Sequence, residues 1–230
     1  MKDIKKSLIS VAIDGPAGAG KSTIARKAAE MLGYVYVDTG AIYRTVACAV
    51  DAAGIAPSDT QAVAELLPSL KVHLSWSEDG LQHMHLNGED VTGKIREPKI
   101  SQLTSQLSAV PAVRDFLMET QRQTARDYNV VMDGRDIGTV VLPDADVKIF
   151  LFASPEERAK RRWLELQNSD KETSYEEVYA EMIQRDQRDS SRSVAPLKPA
   201  DDAIMLDTSS LNLQESIDAV IGIIQGKFEK

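Results

Sequence analysis

The sequence predicts an α/β fold: a parallel sheet flanked by helices, with a small antiparallel meander inserted and a short pair of helices late in the chain. Three observations carry this. First, the apolar run Leu8–Ile13 leads into Gly15-Pro-Ala-Gly-Ala-Gly-Lys-Ser22, and Thr23–Leu32 continues with helical character. A G-x-x-x-x-G-K-S loop between a strand and a helix builds a nest of backbone N–H groups at a helix N-terminus. Second, Gly33 stops that helix and Tyr34–Asp38 reads as another strand, so strand, loop, helix and strand make a βαβ unit. Third, Lys71–Trp76 and Leu81–Leu86 alternate with period two, joined by Ser77-Glu-Asp-Gly80 and followed by Asn87-Gly88 and Glu89–Gly93. That alternation with those turns is an antiparallel meander.

The other elements follow in order. Ala41–Val50 predicts a helix ending near Gly54, and 58–67 a short helix capped by Ser58 and stopped by Pro68. Helices are expected over 100–109 and 113–126, interrupted at Pro111, then a strand at Asn129–Asp133. Val147–Phe152 is a further strand, and Ser154-Pro155 supplies an N-cap and a first-turn proline for a helix to about Leu166. Beyond the polar loop Gln167–Glu172, Thr173–Glu177 opens as a capping box a helix reaching about Ser191. Ala195–Pro199 breaks the pattern, Ala203–Asp207 is the last strand and Leu213–Phe228 the last helix.

A length of 230 residues suits one domain, 1–230, and 43% hydrophobic with 27% charged residues is the composition of a soluble globular protein. No apolar run approaches the roughly 20 residues that cross a membrane. The N-terminal apolar stretch runs straight into the glycine loop, so no cleavable signal is expected. Cys48 is the only cysteine, in the apolar run Val46–Val50; it is expected to be a buried thiol in a reducing cytoplasm. A net charge of −8 argues against nucleic acid polymers as partners. His73, His83 and His85 fall together in the meander without acid or cysteine at ligand spacing, so solvent-facing histidines are expected rather than a metal site. No heptad pattern argues against a monomer.

The chemistry concentrates at strand ends, where open α/β sheets bind their ligands. In the loop Gly15, Pro16, Ala17, Gly18, Ala19, Gly20, Lys21, Ser22 and Thr23, Lys21 is expected to reach the β- and γ-phosphates of a nucleoside triphosphate, and Ser22 to ligate Mg²⁺. Asp133, closing an apolar strand, has the position of the acid that holds that metal or its waters. Asp14, Asp38-Thr39 and the turn Asp133-Gly-Arg-Asp136 are the charged or polar strand ends. Arg158, Arg161 and Arg162 share one helix face, and Arg185, Arg188 and Arg192 repeat the pattern on the next. Beside a phosphate loop, two such helices form a lid bringing guanidinium groups onto a transferring phosphoryl group. A regulatory GTPase would need an N-K-x-D motif, which the chain lacks, and a D-x-x-G opening at Asp133, which is followed instead by Gly-Arg-Asp.

Together, Gly15-x-x-Gly-x-Gly-Lys-Ser, Asp38-Thr-Gly-Ala-Ile-Tyr-Arg44, Asp133-Gly-Arg-Asp-Ile-Gly-Thr139 and Arg185-Asp-x-Arg-Asp-x-x-Arg-x-x-Ala-Pro-Leu197 resemble bacterial cytidylate kinases over nearly the whole chain. The inserted meander marks the bacterial form. The resemblance implies a P-loop parallel sheet, an acceptor-binding insertion at about 39–110 and a lid at about 155–190. It implies ATP as donor at Gly15–Thr23, CMP and dCMP as acceptors, and Mg²⁺. Ser22 stands where some members carry glycine, leaving Thr23 to help with the metal. Thr39, Arg44 and Arg135 match positions on the acceptor phosphate, and Ser105, Arg114 and Asp136 match positions that read cytosine. Arg185 and Asp189 match positions near the ribose hydroxyls, with Arg192 lining the same site. Lys21, Arg135 and the lid residues Arg158 and Arg162 are the expected catalytic cations.

Overall fold

The computed structural model describes residues 8–167 and 173–228; the basic N-terminus and the polar loop beyond Gln167 lie outside the described residues. The elements run β1 (Ser10–Asp14), α1 (Lys21–Leu32), β2 (Val35–Asp38), α2 (Thr39–Ala52), α3 (Thr60–Leu66), β3 (Val72–Trp76), β4 (Gln82–Leu86), β5 (Glu89–Asp90), α4 (Pro98–Leu107) and α5 (Pro111–Asp127). Then come β6 (Val130–Gly134), β7 (Val147–Phe152), α6 (Pro155–Gln167), α7 (Tyr175–Ser191), β8 (Ile204–Asp207) and α8 (Leu213–Phe228).

The main sheet is ordered β2-β6-β1-β7-β8, with every pairing parallel. β1 is the central strand: the chain turns first to the β6–β2 side and later crosses to β7 and β8. That reversal opens a crevice beyond the carboxyl end of β1, the place where open α/β sheets generally receive their ligands. Parallel strands covered on both faces read as apolar runs, and Val11, Ala12 and Ile13 are fully buried. Val11, Ile13, Ile149 and Leu151 pack with α1 and α8 on one face. On the other face Ala12, Val37 and Met132 share a core with Ile42, Val46 and Leu117, and with Leu74, Met84 and Ile95 of the insertion. Among the described residues no helix is long and apolar enough to cross a membrane.

The inserted sheet β3-β4-β5 is antiparallel, as its alternation predicts. It grips the edge strand β2 through two side chains. Trp76 Nε1 donates to Tyr36 O at 3.0 Å, and Gln82 both accepts from Asp38 N at 2.7 Å and donates to Asp38 O at 3.2 Å. The histidines occupy the meander's outer face, where His83 meets Asp90 and His85 meets Ser75. No group of three or more metal-binding side chains occurs among the described residues. Cys48 is buried as expected.

Two local expectations change. The short helix is capped by Asp59, which accepts from Ala62 N, rather than by Ser58, and Pro68 sits inside a one-turn helix 67–69 that prolongs it. Pro111 does more than interrupt: it begins α5, at the position where its missing N–H costs nothing. The capping box at Ser174 and Glu177 forms as read.

Candidate active site

The site begins where β1 ends. Gly15 adopts φ +150°, and a Cβ there would lie 1.9 Å from Leu151 O, so the loop turns flush against β7. Gly18 and Gly20 take left-handed φ of +71° and +84°, which glycine alone adopts cheaply. Gly20 caps α1 without any side-chain hydrogen bond, and no acid lies in the first turn. By contrast α2 is capped by Asp38 and α7 by Ser174. The N–H groups of α1 are thus left for an anion.

Lys21 is buried and donates to Pro16 O at 2.8 Å. Burial, and then the charge of Arg135, push its ammonium down to about 7. Asp133 faces it at the end of β6, accepting from Ser22 Oγ at 2.9 Å and Tyr36 OH at 2.8 Å. Desolvation, reinforced by the Asp38 charge, raises Asp133 to about 6. Asp14 is raised to about 6 by burial. It accepts from Ile137 N and Gly138 N at 2.8 and 2.7 Å, locking the wide helical turn Ile137–Val141 behind the Asp133–Asp136 turn. Thr39 Oγ1 donates to Asp133 O at 2.7 Å.

On the β6 side, Arg114 and Asp136 form a buried ion pair, 3% and 7% exposed at their side chains. Arg114 also donates to Ser108 O at 3.1 Å and lies over the Tyr43 ring. Burial raises the Asp136 carboxyl despite Arg114. Ser105 Oγ is buried with no partner. The end of α7 meets this region from the other side: Arg135 Nε donates to Asp189 Oδ2 at 3.0 Å and Arg192 Nη2 to Asp189 Oδ1 at 2.8 Å. Burial works against the Asp189 charge, but Arg135, Arg192 and Arg185 outweigh it and hold the carboxyl below its usual range. Arg185 is lowered to about 10 by burial and by Arg135, and its Nε is buried without a partner, as is Arg44 Nη1. Lys21, Arg44, Arg135 and Arg185 crowd one cleft in a chain of net charge −8. Mutually repelling cations with unmet donors form a site for a polyanion.

The arginines of α6 divide. Arg158 is buried, donating to Ala153 O at 2.9 Å and Ala17 O at 3.0 Å and pairing with Asp186 at 2.7 Å. It therefore joins α6 and α7 to the phosphate loop, where Met182 also closes on Gly18. Arg161 donates to Thr208 O at 2.7 Å. Arg162 is half exposed and pairs with Glu165; the structure does not gather it with the other cations. Asp14, Tyr36, Asp38 and Asp186 are tied to these side chains and turns as well, and residue patterns assign them no role. Only the strand-end position of Asp14 and Asp38 signalled them.

A family model described as cytidylate kinase matches residues 11–226. The chain belongs to the cytidylate kinase family. It is 50% identical over 215 residues to the cytidylate kinase of Geobacter sulfurreducens, covering 94% of this chain and 92% of that protein. It is 50% identical to the cytidylate kinase of Desulfitobacterium hafniense, covering 98% and 96%. With the cytidylate kinase of Caldicellulosiruptor bescii it shares 47% identity, covering 93% and 94%. Membership of the family makes the chain a kinase, and its α/β architecture with a separate antiparallel insertion is the one the sequence predicts.

Proposed function

We propose that the chain transfers the γ-phosphoryl group of ATP to CMP or dCMP, giving ADP and CDP or dCDP, with Mg²⁺. The observation that carries this reading is the buried Arg114–Asp136 pair together with the unpartnered Ser105 hydroxyl, one helical turn before the Ser108 carbonyl that Arg114 meets. Cytosine presents an amino donor next to ring-nitrogen and carbonyl acceptors. Asp136 accepts from the amino group, while Arg114 and Ser105 donate to the acceptors. Uracil offers a carbonyl where the amino group stands, meeting Asp136 acceptor to acceptor, and such a buried mismatch discriminates strongly.

An oxygen of the acceptor phosphate attacks the γ-phosphorus in line, and the bond from that phosphorus to the β–γ bridging oxygen breaks, releasing ADP. Gly15–Thr23 hold the donor phosphates, and Lys21 is ionised by their charge. Thr39, Arg44 and Arg135 hold the acceptor phosphate, and Arg185 and Asp189 meet the ribose with Arg192 beside them. Arg158 anchors the lid, and Arg162 serves the transferring group once the lid moves. Ser22 Oγ and Asp133, 2.9 Å apart, are the hard oxygen donors Mg²⁺ uses when phosphates and water complete its shell. Bound there, Mg²⁺ neutralises charge on the β- and γ-phosphates.

The whole chain, 1–230, works as one kinase domain, with the acceptor insertion at 39–110 and the lid at 155–190. The reading includes a cytoplasmic monomer. An ADP-release assay offering CMP, dCMP, UMP, AMP and shikimate tests the specificity. Turnover is expected with CMP and dCMP; preference for another acceptor overturns the reading.

A further inference from the structure

Arg96 ends a one-turn helix of the insertion, Lys94–Arg96, whose central Ile95 is fully buried and so fixes the turn against the core. From there Arg96 Nη2 lies 3.4 Å from Asp38 Oδ2, the same oxygen that Arg44 Nη1 approaches at 3.7 Å. The other Asp38 oxygen is occupied, accepting from Ala41 N at 2.9 Å as the cap of α2. One carboxylate oxygen therefore faces two guanidinium groups and completes neither. Arg44 Nη1 is buried without a hydrogen bond, although the Asp38 side chain is only 9% exposed.

The charge count is uneven in the same way: two cations share one anion, close enough to the cleft for Arg44 to lower Arg185. A phosphomonoester dianion supplies the missing charge and three acceptor oxygens, and guanidinium pairs bind phosphate in a forked geometry that a single carboxylate oxygen does not offer. An ordinary surface ion pair contributes little, but here the 59% exposed Arg96 reaches from the insertion to the cap of α2, and the buried Arg44 Nη1 beside it is left unmet.

We propose that Arg96 is a second arm on the acceptor's 5′-phosphate, with that phosphate replacing Asp38 as the partner shared by Arg44 and Arg96. The inference rests on the CMP reading. It makes the contribution of Arg96 specific to the phosphate and independent of base and sugar.

Calorimetric binding of CMP and of cytidine, which lacks the phosphate, to the wild type, Arg96→Ala and Arg96→Lys tests it. Arg96→Ala is expected to weaken CMP about tenfold, the scale of one charge-assisted contact, while cytidine changes less than about twofold. Arg96→Lys should fall between, and steady-state KM should rise for CMP but not for ATP. Equal weakening of CMP and cytidine would make Arg96 a structural tie, and no change in either would make it a surface pair; both overturn the proposal. A wild-type protein that does not prefer CMP to UMP overturns the CMP reading instead. The same comparison then runs with the preferred nucleotide and its nucleoside.

Discussion

Asp133→Asn separates what this carboxylate costs the fold from what it gives the reaction. Asp133 is 4% exposed, and its oxygens accept from the hydroxyls of Ser22 and Tyr36. Both hydroxyls can rotate to accept from an amide, so the Asn side chain finds partners where the carboxylate stood. The folded carboxyl sits at about 6 against 3.8 for the free group. A raised acid binds its proton more tightly in the folded state, so its contribution to stability is complete below pH 3.8 and lost as pH rises through 6. Two pKa units are about 3 kcal/mol. Loss of its attraction for Lys21 is already contained in that net shift. At pH 7.5 Asn should therefore stabilise by about 1–3 kcal/mol, or roughly 2–10 °C in Tm for a chain of this length. The gain should fade between pH 6 and pH 4, where the wild-type carboxyl is neutral too. Turnover should fall at least about a hundredfold, since the proposed Mg²⁺ ligand and a charge partner of Lys21 are both lost. Calorimetric melting from pH 4 to 8, beside the ADP-release assay, reads both effects. A Tm at pH 7.5 equal to or below that of the wild type, or a gain independent of pH, would show that Asp133 is not held at an energetic cost.

Asp136→Asn should lower the CMP-to-UMP ratio of kcat/KM about ten- to a hundredfold, because the amide can donate to the uracil carbonyl; an unchanged ratio would remove Asp136 from base reading. Lys21, half neutral near pH 7 in the empty site, should take up close to one proton at pH 8 when a triphosphate binds. Titration calorimetry in buffers of differing ionisation enthalpy detects that uptake, and a buffer-independent heat would refute it. Gly15→Ala places a Cβ 1.9 Å from Leu151 O, a clash with backbone that nothing flexible can relieve. It should cost at least about 3 kcal/mol, read by denaturant unfolding.

What could be read from the residues alone was what depends on near neighbours. The phosphate loop, the period-two meander and the capping box at Ser174 are specified within a few positions, and they form as expected. α8 is found at Leu213–Phe228 with the bounds its pattern indicates. Arg158, Arg161 and Arg162 show the limit. Their spacing puts them on one helical face, but it does not tell which neighbour each meets: Ala17 O, 141 residues away, Thr208 O, 47 away, or Glu165 on the same helix. Asp14 was visible as a strand-end acid. Its grip on the N–H groups of Ile137 and Gly138 depends on β1 and β6 lying side by side, which no local pattern records. The wide turn Ile137–Val141 has no local signature, because Ile-Gly-Thr-Val-Val is a poor helical sequence, held in place from outside by that carboxylate.

The hold of Trp76 and Gln82 on β2 bears on how the molecule can move. An outermost strand exposes hydrogen-bonding groups that would recruit another chain, and here two side chains of the insertion occupy them at Tyr36 O and at both backbone groups of Asp38. The insertion is thus a guard on the sheet's flank as well as a wall of the cleft. It cannot swing away without baring that flank, and its buried Leu74, Met84 and Ile95 would leave the common core with it. The opposite wall is tied by charge instead: one guanidinium, that of Arg158, joins α6 to the phosphate loop at Ala17 O and to α7 at Asp186.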